Sequence, residues 1–233
     1  IVFGDWSSDV CSSDLVLGQE HLVGKSSLLR KSVEQDSMGS IVLYGPPGTG
    51  KTTIASIVAR HTKKNFHKLN AVFSNIQNLR EIVQEAKDQL SYYQKRTIVF
   101  IDEIHRWNKA QQEALLPWLE NGLITLIGAT TQNPFFELTK ALLSRLQVFE
   151  LESLRPQDLL KAIDTALTDS ERGYGKFHVE IEDEARLFLA EKANGDVRIV
   201  YNAIEWLFST YSLEKTTISL LMAKEALQKK ALL

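Results

Sequence analysis

The chain has 233 residues, 44% of them hydrophobic, and its 27 lysines and arginines nearly balance 29 aspartates and glutamates for a net charge of −2. At roughly 100–200 residues per domain, that length suits one full α/β domain, a smaller companion and a sizeable core. The balance of charge excludes a bulk positive field that would hold nucleic acid or an anionic membrane non-specifically, so any DNA contact has to be local. No apolar run approaches a membrane span and no secretory signal is read, which sets the expectation of a cytoplasmic protein without membrane contact.

Residues 1–15 stand apart. The string Asp5-Trp6-Ser7-Ser8-Asp9-Val10-Cys11-Ser12-Ser13-Asp14-Leu15 has no periodicity and repeats Ser-Ser-Asp. It reads as a translated sequencing adapter, so the segment is expected to be non-native, and its single cysteine leaves no disulfide or metal site to consider. From Val16 onward, strand-like and helix-like segments alternate. Ile41–Tyr44, Phe66–Asn70, Thr97–Asp102, Leu123–Ala129 and Gln147–Leu151 are mostly continuous apolar runs, the pattern of parallel strands covered on both faces. An αβα sandwich follows. Between the second and third strands, Leu79, Ile82, Val83, Ala86 and Leu90 recur at helical spacing and are expected to face the core. Asn108, with Gln111 three residues on, opens a helix running toward Gly122, which Pro117 should kink. Beyond Leu151 the strand signals stop. Ser153-Leu154-Arg155-Pro156 opens a helix carried by Leu159, Leu160, Ile163 and Leu167, and further helices carry Phe188 with Leu189, then Val200, Ala203, Ile204, Leu207 and Phe208. The expected domains are an α/β unit over 16–152 and a small all-helical unit over 153–233.

Gly45-Pro46-Pro47-Gly48-Thr49-Gly50-Lys51-Thr52 joins the first strand to a helix beginning near Thr53, the setting in which such a string is a phosphate-binding loop. Glycines let the backbone wrap an oxygen-rich ligand, so that N–H groups and the start of the helix point at the β- and γ-phosphates of a nucleotide such as ATP. Lys51 adds a point charge and Thr52 a hydroxyl for Mg²⁺. A plain glycine-rich turn gives no reason for Lys-Thr at its end. The third strand finishes in Asp102-Glu103, and adjacent acids at a buried strand end need a cation or a proton. Asp102 is the candidate Mg²⁺ ligand and Glu103 the candidate general base, with a pair of solvated acids as the bland alternative. Thr131, in Thr130-Thr131-Gln132-Asn133 after the fourth strand, is the candidate phosphate or water sensor, and Asn133 is its rival. Arg145 precedes the fifth strand, where it could face a neighbouring subunit's nucleotide or be a solvated surface residue. Gly195 and Asp196 read as a helix stop and the next N-cap, which puts Arg198 in a first turn. A cation there opposes the helix dipole, so nucleotide phosphate is the candidate partner, with a salt bridge to Glu191 or Glu205 as the alternative.

These motifs resemble an AAA+ ATPase, with Walker A at Gly45–Thr52, Walker B at Ile98–Glu103, sensor 1 at Thr131, an arginine finger at Arg145 and sensor 2 at Arg198. Three strings resemble the replication-associated recombination protein A family: Asp102-Glu103-Ile104-His105-Arg106-Trp107-Asn108-Lys109, Gly128-Ala129-Thr130-Thr131-Gln132-Asn133-Pro134-Phe135-Phe136-Glu137-Leu138 and Arg172-Gly173-Tyr174-Gly175. The resemblance implies an αβα ATPase core over 16–152, a helical lid over 153–233, and a C-terminal oligomerisation domain missing from this chain. It further implies a homo-oligomeric, DNA-stimulated ATPase ring at stalled forks and single-strand/duplex junctions, with single-strand-binding or other replisome proteins as partners and a nucleoid-associated location. Gly18-Gln19-Glu20-His21-Leu22 resembles the segment against the adenine, making Val16, Gly18 and Gln19 candidates for base contact. The alternatives are a clamp-loader-type ATPase subunit, which shares the Ser-Arg finger, and an interaction module that binds ATP without turnover.

Overall fold

The computed structural model describes residues 16–62, 64–211 and 216–228. The expected non-native segment 1–15, with Cys11, lies outside the described residues, as does the final Lys229-Lys230-Ala231-Leu232-Leu233. The chain divides into two compact units. Among the described residues, one comprises 16–46 with 50–152, and the other 153 onward together with the loop residues 47–49.

The first unit is built on a five-stranded sheet in the order β2-β3-β4-β1-β5, where β1 is Ile41–Tyr44, β2 Asn65–Asn70, β3 Thr97–Asp102, β4 Ile124–Thr130 and β5 Gln147–Glu150. Every pairing is parallel. The helices are α1 (Glu20–Val23), α2 (Leu28–Glu34), α3 (Lys51–His61), α4 (Ile76–Tyr93), α5 (Lys109–Glu113), α6 (Leu116–Glu120), α7 (Pro134–Glu137) and α8 (Lys140–Leu143). Successive side chains on a strand point to opposite faces, and β3 shows why its sequence is apolar throughout. Ile98 and Phe100 enter a cluster with Leu29, Val33, Ile54 and Val58 of α2 and α3, while Val99 and Ile101 enter another with Leu79, Val83 and Ala86 of α4 and with Trp107. Both faces are covered, so the middle of the strand, 98–101, leaves no position for a polar residue, and Thr97 and Asp102 stand at its ends. Ser27 and Asn75 cap α2 and α4 with their side-chain oxygens.

Two strands have the expected bounds, and the other three differ by a residue at one or both ends. Larger differences lie in the helices. Asn108 does form a capping box with Gln111, but the helix it opens stops at Glu113 and restarts as α6, with Pro117 in its first turn. Proline lacks the N–H to continue the ladder and its ring clashes with the carbonyl four residues back, so the helix splits where a kink was expected. Leu90, expected in the α4 stripe, is 37% exposed. The 18-residue α4, about 27 Å long at 1.5 Å per residue, outruns the strands beneath it.

The second unit packs α9 (Pro156–Thr168), α10 (Asp183–Lys192), α11 (Val197–Thr210) and α12 (Leu220–Gln228) together, α10 and α11 each against α9 and α12. Pro156 starts α9, where its missing N–H costs nothing. Val200, Ala203, Ile204 and Leu207 are the buried stripe of α11. The unit is not wholly helical, because β6 (Glu180–Ile181) pairs in parallel with β7 (Thr217–Ile218). Asp169, after α9, accepts the N–H groups of Glu171 and Arg172 at 2.9 and 3.0 Å and pairs with the Arg172 guanidinium at 2.9 Å. The turn it anchors presents Tyr174 to stack on Phe208 with ring centroids 3.8 Å apart.

Two outcomes follow. Trp107, 2% exposed, fills the centre of one core layer, and Trp107→Ala should lower the unfolding free energy by about 3–5 kcal/mol in urea titrations. The Arg172 N–H foremost, with the Glu171 N–H and the Arg172 charge, holds the Asp169 carboxyl below its ordinary value against the effect of burial. A depressed carboxylate contributes stability that is complete above the unfolded pKa and lost as pH falls through the folded one. The stability advantage of the wild type over Asp169→Asn in thermal melts should therefore shrink as pH drops below the ordinary aspartate range.

Candidate nucleotide-binding site

Parallel strands put all their carboxyl ends at one edge of the sheet, the edge where open α/β sheets bind ligands. Tyr44, the last residue of β1, stands beside Thr130, the last of β4. The Gly45 N–H bonds the Thr130 carbonyl at 3.2 Å. Gly45 has φ 154°, and a Cβ there would lie 2.3 Å from the Leu151 carbonyl oxygen, so only glycine turns the chain here. Gly50 is left-handed, and α3 begins at Lys51. The Lys51 ammonium folds over the start of the loop, donating to the Gly45 and Pro46 carbonyls at 2.8 Å each, and the residue is 8% exposed. Thr52 and Thr53 occupy the half-buried first turn of α3. The loop tip Pro47–Thr49 groups with the second unit.

Asp102 ends β3 at the same edge. Burial first, then the adjacent Glu103 charge, push its carboxyl above the ordinary range, while the Glu103 N–H, Lys68 and Lys51 pull the other way. A cation beside it would favour the ionised form, which is the fit expected of a Mg²⁺ ligand. Among the described residues no group of three or more His, Cys, Asp or Glu forms a metal site. Mg²⁺ does not need one, since it commonly takes one or two carboxylates and completes its shell with phosphate and water. The residues present thus suit Mg²⁺ carried in with a nucleotide.

Glu103 adopts φ 53°, a left-handed conformation that costs a non-glycine residue about 1–3 kcal/mol and persists where the surroundings impose it. It leads into a 3-10 turn over Ile104–Arg106. Gly128 of β4 lets that turn lie flat on the sheet, because a Cβ there would come within 3.3 Å of Ile104 Cδ1. The Thr131 hydroxyl donates to Glu103 Oε2 at 3.3 Å. Asn133, its rival as sensor, has its side-chain oxygen engaged by the Phe135 N–H as the cap of α7. His105, given no role by the sequence reading, approaches both Glu103 Oε2 (3.3 Å) and Thr130 Oγ1 (2.8 Å) through Nδ1.

Val16 is buried and its Cγ1 would lie 4.0 Å from a Cβ on Gly50, so it borders the loop. Gly18 is left-handed. Gln19 is buried, its amide bridging the backbone of Glu152 (Nε2 to O 2.8 Å, Oε1 from N 3.1 Å), so its polar atoms fix the segment and do not read a base. Arg145 lies at the opposite edge: Gln147, two residues on, pairs with Ile41 at the beginning of β1. The four residues of β1 separate the two edges by about 13 Å at 3.3 Å per residue. The Arg145 guanidinium pairs with Glu120 and donates to the Ala141 carbonyl at 2.7 Å and Ser144 Oγ at 3.0 Å. In the second unit Asp196 caps α11 and also binds the Arg198 guanidinium, Oδ2 to Nη2 at 2.7 Å. The salt bridge of Arg198 is therefore to its own helix cap, where Glu191 or Glu205 had been considered.

Residues 41–154 match the ATPase family associated with various cellular activities (AAA). With the parallel sheet, the phosphate loop and the acids at the end of β3, the chain is an AAA ATPase of the P-loop class. Within that class it belongs with the replication-associated recombination protein A family. It is 43% identical over 189 residues to that protein from Escherichia coli K12, covering 81% of this chain and 42% of that one. Against the Bacillus subtilis 168 protein it is 42% identical over 221 residues, covering 93% and 51%. The Dictyostelium discoideum ATPase WRNIP1 is 41% identical over 200 residues, covering 86% and 23%. The chain thus spans about half the length, or less, of these curated relatives. The solved structure of the Thermotoga maritima RuvB Holliday junction branch migration motor superposes with a TM-score of 0.74 at 29% identity, over 94% of this chain and 72% of that one.

Lys51, buried over the loop, is the candidate phosphate contact to test first. Lys51→Ala removes a charge-assisted partner worth about 1.5–3 kcal/mol. ATP affinity by calorimetry should drop by about 10- to 150-fold, with the circular dichroism spectrum unchanged.

Proposed function

We propose that this protein hydrolyses ATP to ADP and phosphate, and that in a homo-oligomeric ring it couples the reaction to remodelling at stalled replication forks. The observation that carries the catalytic half is the meeting of Glu103 and Thr131 at the same sheet edge as Asp102 and the Lys51 loop. Residues 45–53 and the start of α3 hold the phosphates by backbone N–H groups and the Lys51 charge. Thr52 and Asp102 would hold Mg²⁺, which would supply positive charge against the charge that develops on the nucleotide. Glu103 takes the proton of the attacking water, and Thr131 orients the carboxylate and senses the γ-phosphate. Arg198 acts as a phosphate-sensing arginine. Val16 and Gly18 form the wall against the adenine, and Gln19, the third candidate, holds that segment in place through Glu152.

Arg145 acts on a neighbouring subunit's nucleotide. The two edges of the sheet are too far apart for its side chain to serve its own site, which supports the trans role. The fork role rests on the kinship with replication-associated recombination protein A and extends to DNA junctions as ligand, to single-strand-binding or other replisome proteins as partners, and to a cytoplasmic, nucleoid-associated setting. No helix among the described residues is long and apolar enough to cross a membrane.

ATP turnover measured against protein concentration, with and without a forked DNA carrying a single-strand gap, tests the proposal. Turnover should rise steeply with concentration and with DNA. It should vanish in Arg145→Ala and in Glu103→Gln alone, and return in part when the two variants are mixed, because one supplies the finger and the other the base. Turnover proportional to concentration and untouched by Arg145→Ala would sink the trans finger. Tight ATP binding without any turnover would leave a module that uses the nucleotide only to fix a conformation.

A further inference from the structure

His105 is 4% exposed and lies behind the acids. Its Nδ1 is 2.8 Å from Thr130 Oγ1. That hydroxyl accepts the Gln132 N–H at 3.0 Å and donates its one proton to the Gln132 carbonyl at 3.2 Å. When the hydroxyl proton is engaged in this way, it is Nδ1 that carries the hydrogen in the His105–Thr130 pair. The same Nδ1 stands 3.3 Å from Glu103 Oε2 as an ion-pair contact, and the Thr131 hydroxyl donates to that oxygen at 3.3 Å. Both holds fall on one oxygen, which leaves Oε1 for the water.

We infer that His105 is a positioning residue for the base: braced by Thr130, its imidazole sits against Glu103 Oε2 and holds the carboxylate in the orientation from which it takes the proton of the attacking water. The inference rests on the reading of Glu103 as general base. The left-handed backbone at Glu103 starts the tight turn that returns residue 105 to the carboxylate two positions earlier. The brace is rigid, since Thr130 is fully buried at the end of β4 and its hydroxyl is tied at three points. A base held by a fixed partner keeps its geometry through each turnover, and a small displacement of such a group slows a reaction severely.

The test compares His105→Leu, His105→Asn and Glu103→Gln with the wild-type chain at saturating ATP, Mg²⁺ and forked DNA, with ATP affinity measured separately by a fluorescent analogue. His105→Leu should lower kcat by about 10- to 100-fold and leave KM and nucleotide affinity unchanged. His105→Asn, whose amide N–H falls where Nδ1–H was, should recover most of the rate. Thr130→Val, which frees the imidazole while keeping the shape, should fall between the two. A His105→Leu enzyme as fast as the wild type beside an inactive Glu103→Gln would overturn the positioning role and leave the base intact. An Asn variant as slow as the Leu variant would likewise reduce His105 to a packing residue. Full turnover in Glu103→Gln would remove the base and this inference together.

Discussion

The parallel pairing of β1 between β4 and β5 governs the site. Because β4 runs alongside β1 in register, Tyr44 meets Thr130, and the first residue of the phosphate loop is tied by its N–H to the strand that supplies the two threonines. β3 lies on the other side of β4, so Asp102 and Glu103 arrive at the same edge. A slip of one residue in any of these ladders would turn every side chain of that strand to the wrong face. The apolar layers on both faces exclude such a slip, and site geometry is thus inherited from core packing.

Charge at the edge is arranged with the same economy. Two adjacent carboxylates at the end of a dry strand repel each other, and Asp102 bears the burial as well. Lys51 and Lys68 offset part of that repulsion, while Glu103, left-handed in its backbone, meets the Thr131 hydroxyl and the His105 imidazole. The two acids thus stand in different environments although they are neighbours in sequence, the difference that the proposed division into a cation ligand and a base uses.

Much of this is legible in the sequence because local rules decide it. The five strands announce themselves as apolar runs, the phosphate loop by its spacing, and the helix starts at Asn108 and Asp196 by their caps. What escapes is set by backbone handedness or by partners far along the chain. Nothing in Asp102-Glu103-Ile104-His105 says that the chain turns left-handed at the glutamate, so the contact of His105 with Glu103 is invisible until the backbone is known. The pairing of Arg145 with Glu120 spans 25 residues. The β6–β7 pair is two residues per strand, too short for any periodicity, and Pro117 shows that a proline's effect depends on whether the following turn has its own packing to restart it.

The flat spot at Gly128 has a consequence for how this enzyme varies. The residue meets the turn at Ile104, and that turn joins Glu103 to His105. A methyl group at position 128 would press on the Ile104 side chain from the sheet side, at 3.3 Å from Cδ1 and 3.4 Å from Cγ2. A buried glycine outside the phosphate loop therefore bears on the turn that holds Glu103 and His105, and it does so without being part of the loop itself.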